Sequence, residues 1–167
     1  MTNPILFRYA KPDDVSGMVH IYNQAIEEKY CTADTETLTV TDRQDWYNSH
    51  SSEEYPIVVA EISGKMVGWY SLSPHRPGRK ALRSIAEFSY YVHRDYRGEK
   101  IGSRLFEHAI DLAPKLGLKN LFAILIDKNR PSIRILEKYG FRQWGHLPEV
   151  AVIDGEICGQ FIYGRKV

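Results

Sequence analysis

The sequence predicts a mixed α/β (α+β) fold, a mostly antiparallel central sheet flanked by helices, and three observations predict it. Strand-like and helical patterns follow one another in the order β-α-α-β-β-β-α-β-α-β-β. Two turn signals, Ser63-Gly64 and Asp154-Gly155, join neighbouring strand runs as hairpins. The run Leu118–Ile126 is apolar at nearly every position, as a strand covered on both faces must be. A chain of 167 residues, 43% hydrophobic and 26% charged, suits one globular domain spanning 1–167 with one sizeable core.

Ile5–Tyr9 reads as the opening strand. Pro12-Asp13-Asp14 starts a helix, with proline and acids in its first turn and an apolar stripe of Val15, Met18, Val19, Tyr22, Ala25 and Ile26. Thr41-Asp42-Arg43-Gln44 has the form of a capping box and opens a short second helix carrying Trp46. Ile57–Glu61 and Met66–Leu72 form a hairpin, and a basic, proline-containing loop over 73–83 leads to the aromatic strand Ile85–Val92. Ile101–Leu116 is a helix that Pro114 ends or bends early. Pro131–Tyr139 is a short helix closed by Gly140, and Phe141–Val152 with Glu156–Tyr163 make the last hairpin.

Composition excludes several classes of function. A net charge of +1 does not suit a protein that coats nucleic acid or an anionic membrane through bulk charge. The longest apolar run, Leu121–Ile126, is far short of the roughly 20 residues of a membrane helix. Met1–Pro4 has no basic segment leading into an apolar run, so no secretory signal is read and the cytoplasm is the expected location. Cys31 and Cys158 stand apart, and the six histidines lack metal-ligand spacing, so neither a disulfide nor a metal is expected.

The segment 87–104 carries the most chemistry. A strand ends at Val92, a basic connection holds His93, Arg94, Arg97 and Lys100, and a helix begins near Ile101 between Gly98 and Gly102. Unpaired amides in a helix's first turn, flanked by glycines and cations, suit a pyrophosphate. A capped helix with a solvated basic face is the other reading.

Arg97-Gly98-Glu99-Lys100-Ile101-Gly102 resembles the acetyl-CoA-binding motif of the GNAT N-acetyltransferases, in which Arg or Gln is followed by two residues, Gly, one residue, and Gly or Ala. Asn129-Arg130-Pro131-Ser132-Ile133 and Tyr139-Gly140-Phe141 match a second motif. Ile21-Tyr22-Asn23, Tyr55–Ala60 and Arg76-Pro77 ahead of Arg83 resemble its phosphinothricin acetyltransferase-like branch. The resemblance spans nearly the whole chain. It implies a GNAT-like fold, acetyl-CoA as co-substrate, and transfer of the acetyl group to the amine of a small amino acid or analogue. Relatives are commonly homodimers, so a homodimer is expected, while the charge and the short apolar runs argue against a nucleic acid or membrane partner.

Residue by residue, the resemblance places cofactor contacts at Tyr91, Val92, His93, Arg97, Gly98, Glu99, Lys100, Ile101, Gly102, Ser103, Asn129 and Ser132. Helix capping is the alternative for Asn129 and Ser132, and both roles can coexist. Glu87 is the one acid in an apolar, aromatic strand, and the family has its general base there; a solvent-facing acid on an edge strand is the alternative. Arg76 and Arg83 are candidates for the acceptor's acidic group, against an ordinary exposed basic loop. Tyr22, Asn23 and Trp46 are candidate walls of the acceptor pocket, with core packing as the rival for Tyr22.

Two departures from the motif bear on mechanism. Lys100 stands where the motif has its central Gly, which costs strain if that position needs a positive φ. Leu136 stands where relatives carry a Tyr or His that protonates the leaving thiolate, and Tyr139 lies three residues on. Other acceptors (a polyamine, an aminoglycoside, a protein N-terminus) and a non-catalytic acyl-CoA sensor are the competing functions.

Overall fold

The computed structural model describes residues 4–167, so the reading of Met1–Asn3 lies outside the described residues. Its elements follow the predicted order. They are β1 Leu6–Tyr9, α1 Val15–Glu27, α2 Val40–Asn48, β2 Ile57–Ile62, β3 Lys65–Pro74, β4 Ile85–Val92, α3 Ile101–Leu112, β5 Asn120–Ile126, α4 Arg130–Lys138, β6 Arg142–Ile153 and β7 Glu156–Lys166. The strands form one sheet in the order β1-β2-β3-β4-β5-β7-β6, antiparallel except between β4 and β5.

Strand alternation divides the core into two layers. Val58, Ala60, Tyr70, Leu72 and Phe88 meet Leu105, Phe106, Ile133 and Leu136 on the face covered by α3 and α4. Ile57, Val59 and Trp69 meet Val15, Met18, Ile21 and Tyr22 of α1 on the other face. Each fully buried Leu, Ile or Phe in these layers contributes about 1.5–3 kcal/mol relative to exposure.

Local details refine the expected boundaries. The second helix is capped by Thr39 rather than Thr41: Thr39 Oγ1 accepts from Asp42 N at 3.2 Å and Asp42 Oδ2 accepts from Thr39 N at 2.7 Å. The box falls there because Gln44, which would have to reach back to Thr41, instead donates to Asn48 at 3.1 Å. Pro114 does end α3, and the chain continues as a 3-10 turn over Ala113–Leu116. On the outer hairpin, Trp144, Leu147, Val150, Val152 and Ile157 are exposed. No helix among the described residues is long and apolar enough to cross a membrane.

The feature that matters for function is a split in the middle of the sheet. β4 and β5 pair only at Ile85/Asn120, Ala86/Leu121 and Glu87/Phe122. Beyond that point β4 stays with β3 as far as Val92, while β5 stays with β7 as far as Ile126. The two strands diverge, leaving open edges inside an otherwise continuous sheet.

Candidate active site

Two cavities occupy the split. One, of about 540 Å³, lies between the end of β4, the start of α3 and the start of α4. The other, of about 510 Å³, lies on the α1/α2 face above β3, β4 and β5. They share Cys31 and Tyr91, so the two adjoin at a common wall.

The register of β4 sorts its residues between them. His93 N donates to Val67 O at 2.8 Å, which turns the backbone groups of the odd-numbered residues toward β3. The amides of Tyr90 and Val92 therefore face the split. Perpendicular to the sheet, Glu87, Ser89 and Tyr91 point to the same face as Ser73, Ser71 and Trp69, their cross-strand partners. All six line the second cavity. One strand thus presents polar side chains to one cavity and open backbone to the other.

The first cavity has the features of a phosphate and pantetheine site. Of the twelve candidate cofactor residues, Tyr91, Val92, Arg97, Gly98, Lys100, Ile101, Gly102, Ser103, Asn129 and Ser132 line it. The first helical bond of α3 is Arg104 N to Lys100 O, so the amides ahead of Arg104 have no intrahelical acceptor, and their residues line the cavity. Gly98 has φ 83°, which only glycine adopts without cost. Asn129 both caps α4, accepting from Ser132 N at 3.3 Å, and lines the cavity. Ser132 Oγ is 3.0 Å from the Tyr90 hydroxyl, whose pKa burial pushes up to about 12.

Two of the twelve lie elsewhere. The His93 ring accepts from Asp95 N at 3.2 Å and packs against His20 and Tyr96, capping the short turn after β4. Glu99 is exposed, its amide closing a turn on Tyr96 O. Lys100 has φ 62°, so the position does require the left-handed region and carries strain of about 1–2 kcal/mol.

The cavity also contains a counter-charge that sequence reading overlooked. Glu28, at the end of α1, forms an ion pair with Arg97 across the cleft, and Arg94 bonds Glu27 at 2.7 Å and Glu28 at 3.4 Å. Leu136 is buried in the core on α4, and Tyr139 donates to Glu107 Oε1 at 2.9 Å while stacking on Phe106. Neither lines the cleft.

The second cavity is a small polar chamber with aromatic walls. Glu87 lines it; burial raises the pKa of its carboxyl, and among the described residues no hydrogen bond or ion pair offsets this. β4 is central, so the solvent-facing edge alternative for Glu87 is removed. Tyr22 and Trp46 are walls, as expected. The Tyr22 hydroxyl donates to Asp34, and burial followed by that bond pushes its pKa up to about 12. His50 Nδ1 lies 2.7 Å from the carbonyl of Trp46 and must carry the proton. His50 Nε2 then accepts from the Ser73 hydroxyl at 2.8 Å, and burial lowers the pKa of the ring, keeping it neutral.

Three acceptor-side candidates are not in this chamber. Asn23 clamps Leu38, donating to its carbonyl and accepting from its amide, both at 2.9 Å. Arg76 sits exposed at φ 52° on the loop; only its neighbours Pro74 and Pro77 reach the wall. Arg83 lines a separate surface pocket with Glu54, Tyr55 and Leu116. The chain turns away after Pro77, and the 3-10 turn at Lys80–Leu82 carries Arg83 to the far side.

Sequence reading missed Arg43, His50, Ser71, Ser73 and Ser89. The serines left a signal: Ser71, Ser73, Glu87 and Ser89 are polar at period two in strands otherwise apolar, which marks a polar stripe on one face. Arg43 left none, because it lies inside a helix-start pattern that accounts for it locally.

A central sheet split between a parallel pair, with a basic helix start at one mouth and a half-buried carboxyl at the other, is the arrangement expected of an acyl-CoA-dependent transferase. The chain belongs to the acetyltransferase (GNAT) family, whose model matches residues 18–141. It is 38% identical over 161 residues to YwnH of Bacillus subtilis (strain 168), which bears the name of a phosphinothricin acetyltransferase, covering 96% of this chain and 98% of that one. It is 30% identical over 138 residues to an L-methionine sulfoximine/L-methionine sulfone acetyltransferase of Pseudomonas aeruginosa, 82% of this chain and 80% of that one. The solved structure of yncA from Salmonella typhimurium with its cofactor acetyl-CoA superposes with a TM-score of 0.88 at 27% identity, covering 98% and 94% of the two chains. The protein is an N-acetyltransferase that uses acetyl-CoA.

Proposed function

We propose that the chain acetylates the α-amino group of a small amino acid or analogue of the phosphinothricin, methionine sulfone or methionine sulfoximine type, with Glu87 as general base. The observation that carries this is Glu87 itself: a half-buried carboxyl of raised pKa in a chamber that shares its Tyr91 wall with the cofactor cleft. The names and similarity of the two relatives support the acceptor class.

Acetyl-CoA supplies the acetyl thioester, and this chain's residues supply positions and protons. Amides at the start of α3, with Lys100 and Arg97, hold the phosphates. The open amides of Tyr90 and Val92 face the cofactor arm: one pairs with pantetheine, and the other receives the charge that develops on the thioester oxygen. Glu87 takes the proton from the acceptor's ammonium, directly or through one water, and frees the lone pair that attacks. A thiolate whose parent thiol ionises near about 8.5 leaves readily enough that the apolar Leu136 is tolerated.

Release of free CoA thiol tests the reading, with phosphinothricin, methionine sulfone, methionine sulfoximine, ordinary amino acids, spermidine and an aminoglycoside as acceptors. Saturable turnover confined to the amino-acid arm is expected. Turnover only with spermidine or the aminoglycoside, or none with protein that binds acetyl-CoA, overturns it.

A further inference from the structure

We infer that Arg43 is the anion-recognising residue of the acceptor chamber and takes an acidic oxygen pair of the amino-acid acceptor. The inference rests on the acetyltransferase reading above and assigns the role expected of Arg76 and Arg83 to a different element. Its guanidinium carbon lies 4.5 Å from the centroid of the Tyr22 ring and 4.3 Å from that of Trp46. Two aromatic faces hold the plane by cation–π attraction, which leaves the N–H edges unspent. Among the described residues, no hydrogen bond or ion pair engages Arg43, although the same chain pairs Arg8, Arg94, Arg97 and Arg104 with carboxylates.

The charges of the chamber complete the case. Among the described residues that line it, Arg43 is the one permanent cation and Glu87 the one acid, in a setting of serines and aromatic rings. Arg43 comes from α2 and Glu87 from β4, so the two poles belong to separate walls. A ligand with an ammonium for Glu87 and an anionic oxygen pair for the Arg43 fork matches both. Bidentate Arg–carboxylate or Arg–phosphinate bonding suits a planar, pre-oriented guanidinium better than a flexible ammonium. A polyamine would set a second cation against Arg43.

The α-carboxylate and a side-chain phosphinate share this chemistry, and the acceptors separate them. L-methionine sulfone has only the carboxylate, L-phosphinothricin has both groups, and L-methionine sulfone carboxamide has neither. Direct binding and steady-state turnover are measured for wild type, Arg43→Ala, Arg43→Gln and Arg43→Lys, with acetyl-CoA affinity as a control for an intact fold. Loss of a charge-assisted bond predicts a rise of about 10- to 100-fold in Kd and KM for the anionic acceptors in Arg43→Ala and Arg43→Gln. Partial recovery is expected in Arg43→Lys, and acetyl-CoA affinity and the weak binding of the carboxamide stay unchanged. A loss seen with methionine sulfone assigns Arg43 to the carboxylate; a loss seen with phosphinothricin alone assigns it to the phosphinate. Equal binding of both anionic acceptors by wild type and Arg43→Gln, or no binding of either by wild type, overturns the inference. Absent turnover in wild type that still binds these acceptors through Arg43 would instead sink the proposed activity.

Discussion

The cofactor cleft and the acceptor chamber share a strand but are built by opposite rules. The cleft is made largely of backbone: open amides of β4, the first turn of α3, Gly98 at a positive φ, and one capping Asn on α4. Its lining comes from three short stretches, 25–31, 90–103 and 129–135. The chamber is made of side chains drawn from α1, α2, β3, β4, β5 and β7, each supplying one to four residues, and from the loops between them. Backbone donors recognise what every acyl-CoA shares, whereas side chains from scattered elements recognise one acceptor. Change is therefore expected to be graded in the cleft and severe in the chamber.

The largest expected effect is in the chamber. Glu87→Gln removes the base and lowers kcat/KM by about 100- to 10,000-fold while acetyl-CoA binding is retained. If Glu87 is only a structural acid, rates fall no further than the cofactor affinity does. The pH dependence separates these cases. Burial raises the carboxyl pKa, so the acid limb of kcat/KM lies above the ordinary carboxylate range and disappears in the variant. Stability moves the other way. A folded-state pKa above the unfolded one favours the fold in acid, and that contribution is lost as pH rises through the folded pKa. Glu87→Gln accordingly melts above wild type at neutral pH, and the gap narrows toward acid. A constant gap across that range would show that the carboxyl is not desolvated.

Smaller effects belong to the cleft. Glu28 holds Arg97 where phosphates are expected, so Glu28→Gln frees the cation and removes a nearby negative charge. Exposed ion pairs are weak, and acetyl-CoA affinity should tighten by only about two- to fivefold, less at high salt. Weaker binding would mean that Glu28 orients Arg97 rather than competing for it.

Smallest of all is the response at Lys100. Lys100→Gly relieves the left-handed backbone and should raise Tm by roughly 2–4 °C per kcal/mol recovered, while acetyl-CoA binding weakens a few-fold through the lost cation. Lys100→Ala keeps the strain and loses the charge, so binding weakens without the gain in Tm. Equal melting of the two variants would show that φ 62° costs nothing there.

The same contrast explains what was legible. Cleft residues lie in consecutive positions, where glycines, caps and basic residues occur at fixed spacings, and ten of twelve candidates fall on the cleft wall. His93 and Glu99 lie within the same motif but do not line the cleft: the His93 ring caps the turn after β4, and Glu99 is exposed. On the acceptor side, Arg76 and Arg83 are candidates through the branch resemblance, their charge and their place ahead of β4. A loop's path over 76–83 is set by its turns and not by its charges, and it leads elsewhere.

What the sequence alone determined was the order of elements, the apolar periods of both core layers, the helix start flanked by glycines and cations, and the isolated acid at Glu87. Each of these is a local pattern, fixed by residues a few positions apart. Only the tertiary structure decided that β4 and β5 part after Glu87 and Phe122, and that odd residues of β4 serve one cavity while its even amides serve the other. It alone brought Arg43 of α2 between Tyr22 and Trp46 into the chamber of Glu87. Those arrangements depend on how strands pair and helices dock across long stretches of chain, and packing over such separations leaves no spacing to read.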